Sequence, residues 1–211
     1  MDHLFVPSGF DNNDNVELVV TGYFPNPCYG RNNVEVKVQD DVINVRVTAL
    51  VRQDQKAEAC AAMVIPFKEV VPVGNLQGGD YKVLVNAHTR YQQEDSLKVT
   101  EAASQNQDDH IYAVVDYIEL GFLGGESGSA QLVGWNPSDC LALDHVEYVS
   151  NGKDTLSILP IMKKIRDFCP LKMVPLTIPV TFNPESFSHQ KILLMSRTIE
   201  GKSVNTIMER Q

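Results

Sequence analysis

The chain has 211 residues, a formal net charge of −9, 43% hydrophobic and 21% charged content. The length allows one large all-β domain or two ordinary ones, and the composition is that of a globular chain, not a disordered one. The acidic balance disfavours nucleic acid and anionic membrane surfaces as partners. No apolar run is long enough to be a membrane span.

The N-terminal "MDHLFVPSG" has no basic stretch followed by an apolar one, so it does not read as a secretory leader. The sequence is then either cytosolic, or exported with its leader lying outside it. "DNNDN", Asp11–Asn15, offers the oxygen atoms calcium favours. It lacks the glycine and distal glutamate of an EF-hand loop, and an Asx turn is the simpler expectation.

"GYFPNPC", Gly22–Cys28, is echoed by "GWNPSDC", Gly134–Cys140. The likeness continues beyond each cysteine. Val34, Val36 and Val38 alternate with Glu35, Lys37 and Gln39, the period of a half-buried strand. A turn at Asp40-Asp41 leads to a second alternating run ending at Val51. In the later copy, His145–Ile161 has the same form around Asn151-Gly152, a hairpin signal because both residues tolerate positive φ. A second cysteine then arrives, Cys60 or Cys169, followed by Pro66-Phe67 or Pro175-Leu176, another β run, and a late strand, Tyr81–Val85 or Lys191–Met195. Asp2-His3 and Asp109-His110 open the two copies. The second copy alone carries the glycine- and serine-rich loop Gly121–Ala130. Ile161–Phe168 reads as a short helical turn confined by Pro160 and Pro170. Prolines within the β runs mark edge strands, bulges or strand ends.

Matching features in matching order indicate a tandem duplication. The expected fold is all-β: two tandem immunoglobulin-like antiparallel β-sandwich domains, residues 1–103 and 110–211, with a polar linker at 104–109. Four cysteines permit three pairings, and the repeat selects Cys28 with Cys60 and Cys140 with Cys169. Four buried thiols are the alternative; no closely spaced cysteine pair supports zinc or redox chemistry. Persistent disulfides imply an oxidising compartment and therefore export, to a periplasm, an outer surface or the extracellular space. No glycosylation sequon is present, which fits a bacterial envelope protein.

The frame "GYFPNPCY", "AC", "IPF", "GNLQGGDYKVLVN" resembles the cysteine-paired β-sandwich domains of secreted bacterial proteins and lipoproteins. The likeness covers Gly22–Asn86 well and Gly134–Met195 loosely. It implies fold and export and carries no catalytic residue across.

A search for chemistry returns little. "GGESGS", Gly124–Ser129, misses the nucleophile-elbow pattern because Ser129 stands where glycine is needed. Gly124, Gly125, Glu126, Ser127 and Gly128 instead form a candidate partner-binding loop tip, and Trp135 a candidate binding platform. Tyr23, Phe24 and Trp135 are otherwise expected as core plugs on the disulfides. Asp144 and His145, adjacent on a strand, should face opposite ways, against a triad. "KKIR", Lys163–Arg166, is a local basic patch; a solvated face is the simpler expectation and an acidic partner the alternative. No catalytic residue, metal or cofactor is expected. The leading expectation is a non-enzymatic exported protein that binds a protein or glycan through loops or sheet edges. A protease inhibitor presenting Gly121–Ala130, or the stretch around Cys28, is the second. A hydrolase or metal enzyme is the third.

Overall fold

The computed structural model describes residues 1–51, 60–104, 106, 108–124, 127–170 and 172–210, and among these the regular structure is strand apart from short 3-10 turns at Pro184–Ser186 and Ile199–Gly201. The first half supplies β1 (His3–Phe5), β2 (Phe10–Asp11), β3 (Val16–Phe24), β4 (Tyr29–Gln39), β5 (Val42–Val51), β6 (Ile65–Gly74), β7 (Gly79–Val85) and β8 (Gln93–Thr100). They form a three-stranded sheet, β1-β3-β6, and a five-stranded sheet, β2-β8-β7-β5-β4. The inward residues of both sheets, among them Leu18, Val20, Ile43, Val71, Val83 and Leu97, share one buried core. We call this sandwich 1.

The second half supplies β9 (Ile111–Tyr112), β10 (Val114–Gly124), β11 (Ser127–Asn136), β12 (Leu141–Ser150), β13 (Thr155–Lys164), β14 (Val174–Phe182), β15 (Lys191–Arg197) and β16 (Ser203–Glu209). Sheet β10-β11-β14 packs on β12-β13-β15-β16, with β9 added to β13. Ala130, Leu132, Ile158, Ile178, Ile192 and Leu194 lie in the core of this sandwich 2.

Leaving aside β2, which adds to β8, and β9, which adds to β13, the strand order is the same in both. β1-β3-β6 corresponds to β10-β11-β14, and β4-β5-β7-β8 to β12-β13-β15-β16. Each larger sheet also contains a parallel pairing, β5 with β7 and β13 with β15, so the sheets are mixed rather than wholly antiparallel. The two openings do not correspond. His3 lies in β1 of the three-stranded sheet, whereas β9, just after His110, pairs with β13, and β10 takes the place of β1.

The repeated glycine is needed for close approach. A Cβ on Gly134 would sit 2.0 Å from the Val114 carbonyl oxygen, and one on Gly22 would sit 2.7 Å from the Phe67 ring. Prolines mark the edges: Pro66 and Pro72 lie on β6, Pro175 and Pro179 on β14, and each strand has a partner on one side only. Pro160 sits in β13, where that strand's neighbour changes from β15 (residues 155–158) to β9 (residues 161–162). There a missing N–H costs no ladder bond with either neighbour.

Two local expectations are corrected. Ile161–Lys164 finishes β13, and the residues up to Phe168 form no helix. The register with β12 and β9 holds the segment extended through Lys164 and Met162 respectively, and three exposed cations give a helix no apolar stripe. Asn151-Gly152 is not a two-residue hairpin turn. The loop runs to Asp154, and the Asn151 side-chain oxygen accepts from the backbone N–H groups of Lys153, Asp154 and Thr155 at 2.9–3.0 Å.

The sandwiches pack through the outer face of β1-β3-β6. Phe5 and Val19 from that face meet Leu193, all fully buried, with Ile207 beside them. β16 lies along β3 in the same direction. Glu17 accepts from Asn205 at 3.0 Å and bonds Ser203, while Tyr23, at the other end, lines one cleft with Lys191 and Glu209. Since β16 is antiparallel to β15 and β15 parallel to β13, the end of sandwich 2 reached by β13 points opposite to the end of sandwich 1 reached by β3.

Candidate functional site

Two features stand apart from ordinary core: the cysteine-bearing tip of each sandwich, and a charged cluster at the seam between them.

Both disulfides form between the partners the repeat selects. Cys28–Cys60 spans 32 residues with Cα atoms 5.9 Å apart, and Cys140–Cys169 spans 29 residues at 5.2 Å. Each ties the loop that leaves the three-stranded sheet to the loop that returns to it. The bridge therefore clips two loops at one end of the sandwich and does not cross its interior as an immunoglobulin bridge does.

This has a consequence for the aromatics. Phe24 is buried and stacks on Phe67 at 4.8 Å. Tyr23 and Trp135 are 53% and 39% exposed and lie on the outer faces of their sheets, beside Pro66 and Pro175, so they are not plugs on the bridges.

Apolar side chains are exposed around both bridges. The tip of sandwich 1 shows Leu50, Val51, Met63 and Val64 at 53–61% exposure. The tip of sandwich 2 shows Ile165, Phe168 and Met173, with Phe168 at 80%. Bonds from Ile165 N–H to the Cys140 carbonyl (2.7 Å) and from Lys172 N–H to the Pro137 carbonyl (3.1 Å) hold that tip to the β11–β12 connection.

The proposed loop around residue 126 is largely strand. The β10–β11 ladder continues to Leu123 opposite Gly128 and Gly124 opposite Ser127; Gly125 and Glu126 lie outside the described residues. Gly128 is buried, and a Cβ there would strike the Phe182 ring at 2.6 Å, so it serves packing. Ser127 is exposed. Trp135 is eight positions further along β11, roughly 27 Å away at strand rise, so the structure does not bring the candidate binding residues together.

At the seam, Arg197 at the end of β15 is 2% exposed. Its Nη1 donates to Asp14 at 2.8 Å, its Nη2 donates to the other Asp14 oxygen, and Nη2 also donates to Asp108 at 2.7 Å. The Phe10 and Tyr112 rings each lie 5.5 Å from its Cζ. Burial alone would lower the guanidinium pKa, but the Asp14 hydrogen bonds and charge, with Tyr112 and Asp108 adding, together outweigh it and the pKa is raised. Burial raises Asp108 above the ordinary carboxylate range and raises the Tyr112 phenol. Asp109, in the same connecting segment, accepts from Asn13 Nδ2 (3.0 Å) and from the Ser104 hydroxyl (2.7 Å). The segment between the sandwiches is thus bonded to both neighbours.

Asp11 is pushed up to about 6, first by burial and then by the Asp14 charge, with Asp109 adding and the Asn13 N–H and Arg197 opposing. Its folded value lies above its unfolded one, so its contribution to stability is full below about pH 4 and is lost as pH rises through about 6. Asp11→Asn should remove that slope and raise stability at pH 7 by no more than about 1 kcal/mol after solvent screening. Urea midpoints measured from pH 4 to pH 8 check it; an unchanged slope would refute the assignment.

No ligand set emerges. Among the described residues no three His, Cys, Asp or Glu side chains group to hold a metal. In Asp11–Asn15, the Asp11 and Asp14 side chains close a local turn: the Asp14 carboxylate accepts from Asp11 N–H at 3.0 Å and the Asp11 carboxylate from Asn13 N–H at 3.3 Å. His145 Nδ1 and Asp144 Oδ2 do meet at 2.9 Å, because a register shift between Leu143 and His145 breaks the alternation that would have separated them. Both are exposed, and Asp144 also pairs with Lys163 at 2.7 Å, which with the His145 bond lowers its pKa.

Residues 18–97 match the ORF11 β-sandwich domain. The match runs from β3 into β8 and supports the sandwich fold of the first half. No curated protein and no solved structure matches the chain.

Sequence reading missed the seam. Arg197 has no local signature, and Asp14 is 183 positions away. One signal was present. "KILLMSR" is buried on consecutive residues from Ile192 to Arg197, and a continuous apolar run means a strand covered on both faces. Sandwich 2's own core covers only one.

Proposed function

We propose that this is a non-enzymatic binding protein of an oxidising compartment, exported to a bacterial envelope or beyond. It is built by duplication of one β-sandwich and contacts another macromolecule through its disulfide-clipped tips. The observation that carries the reading is the apolar surface at both tips. Isolated exposed apolar residues are normal on any protein; grouped around a covalent clip, at matching places in two sandwiches, they are a contact surface held in one shape. The bridges and the lack of any membrane-crossing helix among the described residues fit export. The net charge of −9 supports a protein or glycan partner over nucleic acid.

Site-specific cross-linking tests it. A photo-reactive phenylalanine in place of Met63 should yield adducts in cells of the source organism, and the same group in place of the outward Lys98 should not. Equal labelling at both positions, or none at Met63, rejects the reading.

A further inference from the structure

The tip of sandwich 2 differs from the rest of this acidic chain. Lys163, Lys164, Arg166 and Lys172, four of its 18 Lys and Arg residues, fall within ten positions, all exposed. They surround the exposed side chains of Ile165, Phe168 and Met173. Of the neighbouring acids, Asp144 pairs with Lys163 at 2.7 Å and Asp139 stands 3.9 Å from Arg166, while Asp167, beside Phe168 in sequence, has no ion-pair partner among the described residues. Among the described residues, Lys164 and Lys172 have no ion-pair partner.

We propose that this tip docks on an anionic lipid surface, with Phe168 and Met173 entering the headgroup and acyl boundary and Lys164, Arg166 and Lys172 resting among the headgroups. Three points favour a membrane over an acidic protein. The apolar side chains stand exposed at a loop end, Phe168 at 80%, which a soft interface accommodates and a flat protein face does not. Apolar residues with lysine and arginine around them gain from insertion and from headgroup attraction together. At the tip itself four cations face three carboxylates, so the local balance is positive although the chain's is negative, and charges more than about 8 Å away are largely screened. The inference rests on the tips being contact surfaces. Because the tips point opposite ways, the tip of sandwich 1 would face away from the lipid.

Co-sedimentation of the oxidised, full-length protein with phosphatidylcholine vesicles, with and without phosphatidylserine, tests this. The wild type should bind the phosphatidylserine vesicles, and more weakly as salt rises. Phe168→Ser with Met173→Ser should lower the partition coefficient at least about tenfold. Lys164→Gln with Arg166→Gln and Lys172→Gln should abolish the preference for phosphatidylserine. All five side chains are exposed, and an unchanged urea midpoint confirms folding. Three results overturn the proposal: no wild-type binding, binding unaffected by the Phe168 and Met173 changes, or retention on immobilised polyglutamate without vesicle binding, which assigns the tip to an acidic protein. Met63 cross-links surviving any of these would leave the binding function standing.

Discussion

Arg197→Ala is expected to destabilise the protein by about 3–5 kcal/mol, the usual cost of removing one partner from a buried ion pair. The reason is the carboxylate left behind. Asp14 is 4% exposed and keeps its place in the β2–β3 turn, with Asn75 Nδ2 bonded to its carbonyl at 3.0 Å. Without the guanidinium its carboxylate is a buried charge with no counter-ion, and Asp108 loses the same partner. Domains of this size have roughly 5–15 kcal/mol in total, so the variant should unfold in mild urea. Arg197→Lys retains charge but not the two-pronged geometry, and should recover part of the loss. Denaturation monitored by circular dichroism decides it. A loss below about 1 kcal/mol would mean that the pair contributes no more than an exposed one.

The second large effect concerns the clips. Replacing Cys140 and Cys169 by serine should cost about 3–4 kcal/mol in the chain-entropy account, and replacing Cys28 and Cys60 nearly the same. Loops of 29 and 32 residues differ by only about 0.1 kcal/mol on that scale. The comparison therefore separates mechanisms. Equal losses point to the unfolded chain; unequal ones point to packing at the tips, where Cys140 is 1% and Cys28 6% exposed. The bridges lie in different sandwiches, so their losses should add. Midpoints of the two double-serine variants and of the fourfold variant supply the measurement.

The strands and both cysteine pairings were legible because their signals are local or repeated: a period of two in Val34–Val38, turn residues, and cysteines at matching places. Failures came where a long-range contact overrides a local rule. Trp135 follows a glycine six positions before a cysteine, yet it faces outward because Gly134 occupies the inward position against Val114. Asp144 and His145 met because of a bulge that no residue type announces. Lys163–Arg166 was read correctly as basic, but its meaning depends on Phe168 and Met173, whose exposure only the loop's path reveals.

The seam also bears on whether such a stack can extend. Leu193 and Ile207, which pair with each other in sandwich 2, match Lys82 and Ser96 in sandwich 1, since Thr155 opposes Leu193 as Val42 opposes Lys82. Phe5 and Val19, the receiving pair, match Glu119 and Gln131, three positions before Gly134 as Val19 is before Gly22. Another sandwich added in the same manner at either end would have to bury a lysine or a glutamate where the existing joint holds hydrocarbon. The hydrocarbon joint between the two sandwiches therefore has no equivalent on either outer surface.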